Sequence, residues 1–293
     1  MTVDVDPRVV LKMLAGDLPA DLRAHLLLVG SLAAAYHHRD QRHAAAVRTK
    51  DADLVIQPAS ALPELGAIAA KLLTAGWRPT ENTRPGRPTD ADADLAVIRL
   101  HPPSRNTYFI ELLGMPHLAQ SASRKWERIE LRGTAVDGWY VVPCFRYMAL
   151  FESELQTSEL GIKYASPTLM ALANLLAHPV IGPEKIGDTE ILRSAKDLGR
   201  AVSLAWLDRE AIDEWADVDW RALERHFGDE ARPLAARAPM GLRALLANGL
   251  ALSQAYDLAT GGLLVGAGVT RPAFEATAQT LLDVLEELAA HGA

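Results

Sequence analysis

The chain has 293 residues, 49% of them hydrophobic and 23% charged, an ordinary globular composition long enough for a sizeable core and two packed units. No apolar run approaches the roughly 20 residues of a membrane span, and the N-terminal MTVDVDPRVV lacks the basic-then-apolar pattern of a secretory signal. The single cysteine, Cys144, excludes an intramolecular disulfide framework and a cysteine-rich zinc site, which together give a cytoplasmic expectation. A net charge of −7 argues against broad, non-specific nucleic-acid binding. Local basic clusters stay open, such as HHRDQRH (37–43) with Arg48 and Lys50, or Arg124, Lys125 and Arg128.

Taken in chain order, short apolar runs predict strands at 26–29, 52–57, 94–100, 107–113, 128–132 and 139–142. A helix over 59–75, stopped by Gly76, falls between the second and third of these. The stretch RPTENTRPGRPTDAD (78–92) reads as loop. Beyond about residue 145 the segments 145–155, 167–178, 190–206, 209–226, 229–259 and 271–291 all read as helices rich in Ala and Leu. The segment SPTLMALANLLAH (166–178) carries a Ser cap and a Pro at the first helical position. The predicted fold class is α+β, a mixed sheet with helices over 1–145 followed by a helical bundle over 146–293.

Three features carry chemistry. In LLLVGSLAAAYHHR (26–39) an apolar strand turns at Gly30-Ser31 into a helix-compatible segment, either a phosphate-binding turn or an ordinary tight corner. Asp51 and Asp53 stand two apart at the start of an apolar strand, so both side chains share one face. Such a like-charged pair calls for a cation, and hard Mg²⁺ prefers carboxylate oxygens. Glu111 interrupts the apolar strand YFIELLG, where an unpaired buried carboxylate is costly.

In this order, the Gly-Ser turn, the D-x-D strand and the later acidic residue resemble the DNA-polymerase-beta-like nucleotidyltransferase superfamily. RTKDADLVI (48–56) and the later SPTLMALANLLAH and RSAKDLGRAV resemble the bacterial AbiEii/MenT-type toxin nucleotidyltransferases, over roughly residues 20–207. The resemblance implies a nucleotidyltransferase-like sheet and transfer of a nucleotide from a nucleoside triphosphate to RNA, the tRNA 3′ end being the implied acceptor. It also implies a cognate antitoxin as partner. Asp51, Asp53 and Glu111 would hold Mg²⁺ or Mn²⁺, with Glu111 assisting acceptor deprotonation. Two such ions about 4 Å apart can stabilise the attacking and leaving oxygens together. Gly30 and Ser31 would cradle the triphosphate at a helix N-terminus, and Lys50 joins the nucleotide-binding candidates.

The match departs in two places. In the resembling toxins the helix opened by Ser-Pro carries a lysine that contacts the triphosphate, and Asn174 occupies that place here. Asparagine offers a hydrogen bond but no charge. Either Lys163, Arg193 or Lys196 substitutes, or activity is reduced or lost. The segment AKDLGRAV resembles the family's later Lys/Arg-Asp segment and brings Lys196 and Asp197 into the candidate set. In addition, twenty-one positions separate Gly30 from Asp51, more than in compact members of the superfamily.

Two other readings stay open. One is a small-molecule nucleotidyltransferase modifying a cationic, antibiotic-like hydroxyl, with Glu152, Glu154 and Glu159 as acceptor-binding carboxylates. The other is a catalytically silent nucleotide-binding relative. The group His37, His38 and His43 shows no acidic or cysteine partner at metal-ligand spacing. Cys144 reads as a buried thiol, GGLLVGAG (261–268) as a linker, and the scattered tryptophans give no base-stacking platform.

Overall fold

Asp6 and Pro7 start the first helix: the Asp6 side chain accepts the Arg8 backbone N–H at 2.9 Å, and Pro7 takes the first helical position. In the computed structural model, which describes residues 3–40, 47–103, 108–116, 124–134 and 136–291, this helix is α1 (Pro7–Asp17), preceded by β1 (Val3–Val5). The chain divides into two compact units. One comprises Met1–Tyr36 with Ala46–Ala165, and the other His37–Ala45 with Ser166–Ala293. His43 and Thr107 lie outside the described residues.

The first unit continues with α2 (Ala20–Arg23), β2 (Leu26–Val29), α3 (Gly30–His37, its last residue belonging to the other unit), β3 (Val47–Thr49) and β4 (Asp51–Ile56). Next come α4 (Glu64–Thr74), β5 (Arg78–Pro79), β6 (Arg99–His101), β7 (Phe109–Gly114), β8 (Arg124–Leu131) and β9 (Gly138–Phe145). The hairpin β10 (Leu155–Thr157) and β11 (Lys163–Ala165) completes it. β1 and β3 pair with each other, and the remaining nine strands form one mixed sheet. Its order is β10-β11-β2-β4-β7-β6-β5, while β9 joins the end of β7 and carries β8. All four residues of β2 are buried, as are Leu54, Val55 and Ile56 on β4 and Leu112 and Leu113 on β7. Such apolar runs suit central strands covered on both faces. Trp77, just beyond α4, donates its indole N–H to Asp17 at the end of α1, at 2.7 Å.

Several sequence expectations in this unit differ from the structure, among them the loop reading of 78–92, which contains β5. The ladder of the predicted strand 94–100 is confined to β6, and Asp92–Asp94 is a 3₁₀ turn. The carbonyls in between are shared: Val141 of β9 donates to Ala96, and Leu112 of β7 to Ile98, so neither neighbour builds a continuous ladder there. Residues 145–155 form a 3₁₀ segment, Arg146–Ser153, rather than an α-helix. The hairpin that follows, closed at Gly161 with φ +74°, was not anticipated. It extends the first unit through Ala165, past the 145/146 boundary of the sequence reading. The helix expected at 59–75 begins with a 3₁₀ turn, and only Glu64–Thr74 is α-helical. Gly76 stops it with φ +95°, a conformation that favours glycine.

The second unit is helical: α5 (Pro167–Ala177), α6 (Arg193–Leu207), α7 (Trp215–Phe227), α8 (Ala231–Arg237), α9 (Met240–Ala247), α10 (Gly249–Gly261) and α11 (Arg271–His291). Ser166 takes the N-cap position of α5 without a side-chain capping bond. The stretch expected as one helix, 229–259, is three, broken where Pro239 and Asn248 stand. Asn248 ends α9 and opens α10 by accepting the Ala251 N–H at 3.0 Å. At the centre α6 packs on α5, α10 and α11. Gly199 of α6 approaches α10 so closely that a Cβ there would lie 3.0 Å from the Ala255 backbone. Among the described residues no helix is long and apolar enough to cross a membrane.

Candidate active site on the sheet

Parity and register bring the three sequence-predicted carboxylates together in the first unit. Asp51 and Asp53 alternate along β4, so they project from one face. In the parallel pairing with β7, Phe109 stands beside Asp51 and Glu111 beside Asp53. Glu111 therefore shares that face and is the direct neighbour of Asp53. On the other flank of β4, the antiparallel β2 places Val29 beside Asp53. Gly30 comes next, with φ +70°, and α3 begins there. A Cβ at Gly30 would lie 2.9 Å from Asp53 Oδ2. The glycine thus answers two demands at once: a left-handed backbone and a carboxylate pressed against its Cα. Ser31 follows in the first turn of α3, half-buried, where helical N–H groups lack intrahelical acceptors.

Asp51 and Glu111 are each oriented by a neighbour. The buried Thr49 hydroxyl donates to Asp51 Oδ1 at 2.8 Å. Arg99 of β6, directly opposite Glu111 in the antiparallel register, donates from Nε to Glu111 Oε2 at 2.6 Å. The same guanidinium lies over the Phe109 ring, 5.5 Å from its centroid. Sequence reasoning missed Arg99. Nothing in the spacing of a strand read as 94–100 reveals which residue faces Glu111 across two strands.

The other candidates belong to other elements. Lys50 is exposed beside the site strand. Lys163 opens β11 and pairs with Leu27, which in turn pairs with Val55. It shares the sheet face of Asp53 but stands two strands away, about 10 Å across the sheet. Asn174, Lys196 and Asp197 belong to the helical unit. Asn174 is half-buried on α5, and its carbonyl accepts the His178 N–H. Asp197 of α6 pairs with His178 Nε2 at 2.9 Å. Burial opposes its charge, but the His178 hydrogen bond and the Arg200, His178 and Lys196 charges outweigh that. The carboxyl is held below the usual range. This pair ties the end of α5 to α6. Arg193 forms an exposed ion pair with Glu184 at 2.8 Å.

Three residues of the candidate basic clusters meet acids within the first unit. Arg48 meets Asp4 at 3.5 Å, Lys125 meets Glu127 at 2.7 Å and Arg128 meets Asp92 at 3.4 Å; the Arg124 side chain lies outside the described residues. Cys144 is buried on β9, and burial pushes its thiol up to about 12, which leaves it inert as a nucleophile.

No family model and no curated protein matches the sequence. Among solved structures, a crystal structure of a candidate nucleotidyltransferase from Helicobacter pylori aligns at 13% identity with a TM-score of 0.38, covering 97% of this chain and 94% of that one. JHP933 from Helicobacter pylori aligns at 14% identity with a TM-score of 0.36, covering 97% of this chain and 89% of that one.

Proposed function

We propose that the first unit is the catalytic part of a metal-dependent nucleotidyltransferase, moving a nucleoside monophosphate from a nucleoside triphosphate to a hydroxyl acceptor. The observation that carries this reading is the contact between the Gly30 turn and Asp53. A helix N-terminus favours phosphate and a carboxylate set favours a divalent cation. A metal-bound triphosphate needs the two side by side.

The donor set fits Mg²⁺ or Mn²⁺. Asp51, Asp53 and Glu111 offer hard oxygens on one sheet face, and neighbouring carboxylates disfavour one another's charge without a cation between them. Asp51 and Asp53, with Glu111 as third carboxylate, would hold such an ion, which would supply charge stabilisation for phosphoryl chemistry. The residues of the chain do the rest. The Gly30 backbone and Ser31 receive the triphosphate, Thr49 orients Asp51, and Arg99 orients Glu111.

For the acceptor we propose RNA, a tRNA 3′ end, and for the cellular role a toxin held by a cognate antitoxin. Both rest on the motif resemblance through Gly30-Ser31 and Asp51/Asp53. The test is label transfer from each α-labelled triphosphate, with Mg²⁺ and total cellular RNA, beside an Asp51→Asn/Asp53→Asn control. A labelled tRNA-sized band absent from the control supports the reading and names the nucleotide. Label on an aminoglycoside but on no RNA replaces the acceptor, and triphosphate binding without pyrophosphate release makes the chain a silent relative.

A further inference from the structure

Two adjacent histidines inside a helix point about 100° apart and cannot serve one ligand. His37 is the last residue of α3 and His38 lies in the turn beyond it, and this change of backbone lets the two rings meet. Their centroids are 4.7 Å apart with the planes at 71°. The third member is Asp208, far along the sequence but in the same compact unit. One potential ligand atom from each of His37, His38 and Asp208 lies within 4.8 Å of the other two. No sequence spacing connects Asp208 to the histidines, which is why an acidic partner at metal-ligand spacing was not visible in the sequence.

We propose that His37, His38 and Asp208 form a transition-metal site, with Zn²⁺ as its preferred ion. Two imidazole nitrogens and one carboxylate oxygen form a three-ligand set that leaves a fourth tetrahedral position for water or a substrate atom. That donor set discriminates against Mg²⁺, which takes oxygen ligands. Ligands 2.0–2.1 Å from a tetrahedral ion stand roughly 3.3 Å apart, so each pair of ligand atoms must draw together by no more than about 1.5 Å from the 4.8 Å spread.

Three further observations suit a cation here. His38 is 1% exposed, so its ring is held by packing rather than by solvent. Asp208 is fixed as well, because the Trp215 indole N–H donates to its Oδ2 at 2.9 Å; metal ligands characteristically have such partners. Finally, His37 ends α3 and Asp208 caps the C-terminus of α6. Both residues stand at helix C-termini, positions that favour positive charge. The site uses none of the sheet carboxylates and does not depend on their proposed role.

The experiment is a Zn²⁺ titration of the full-length, chelator-stripped protein against a chromophoric chelator, in excess Mg²⁺ to keep the sheet carboxylates from competing. The expected result is one tightly held Zn²⁺ per chain and a thermal midpoint raised by the ion. In His37→Gln and in Asp208→Asn the affinity should fall at least about tenfold and the thermal shift should vanish. Asp208→Asn keeps an acceptor for Trp215, so circular dichroism should show it folded. Absence of Zn²⁺ binding, or affinity unchanged in both folded variants, overturns the proposal and leaves an imidazole–carboxylate packing cluster.

Discussion

Gly30 concentrates the argument for the sheet site in one Cα. A left-handed backbone costs a residue with a Cβ about 1–2 kcal/mol, and the added carbon would also press on Asp53 Oδ2 at 2.9 Å. Gly30→Ala is therefore expected to lower stability in a denaturant titration by about that amount. The proposed nucleotide transfer should fall much further, because the carboxylate must turn away to make room. An Ala variant as active as the parent would remove the turn from the site. The residues around it were unevenly legible. Asp51 and Asp53 share a face by period two alone, and the Gly-Ser turn is visible because an apolar run stops there. Whether Glu111 joins them depends on the β4–β7 register, and Arg99 on the β6–β7 register, which composition and spacing do not carry.

At the level of the elements, helices were easier to find than their ends. The strongly Ala- and Leu-rich stretch 229–259 reads as continuous although Pro239 and Asn248 mark its breaks, because summed propensity overrides single residues in a sequence scan. The reverse occurred at 145–155, where a 3₁₀ segment stands in place of an expected helix and an unexpected hairpin follows it. The joint between α5 and α6 makes a pH prediction. Asp197 has a folded pKa below its ordinary value near 3.8, so it binds a proton less readily folded than unfolded. Its contribution is present above pH 3.8 and disappears as the pH falls through the lower, folded value. Melting curves should show the parent more stable than Asp197→Asn at pH 6, the gap closing below pH 3.8. A gap independent of pH would mean the carboxylate charge plays no part.

Across the whole molecule, the lone cysteine offers a direct reading of the first unit. Cys144 is 1% exposed, and its thiol stays protonated far above neutrality. At pH 8 a thiol reagent should modify the native protein slowly and the urea-unfolded protein within its mixing time, the native rate tracking the opening of β9. Rapid modification without denaturant would contradict the burial. The division of the chain was the least legible feature. The sequence changes character near 145, whereas the sheet is completed only by β11, and residues 37–40 group with the helical unit.

That last strand has a consequence for how the protein is made. β2 occupies a central place in the sheet, with β4 on one side and β11 on the other, and Leu27 pairs with Lys163. On the ribosome β2 and β4 emerge early, whereas β11 follows after more than a hundred further residues have been translated. Until then a fully apolar strand offers one row of backbone donors and acceptors to any other nascent chain. A polypeptide released at the change of composition near residue 145 would keep that open flank permanently, although Asp51, Asp53, Glu111 and the Gly30 turn would all be present in it.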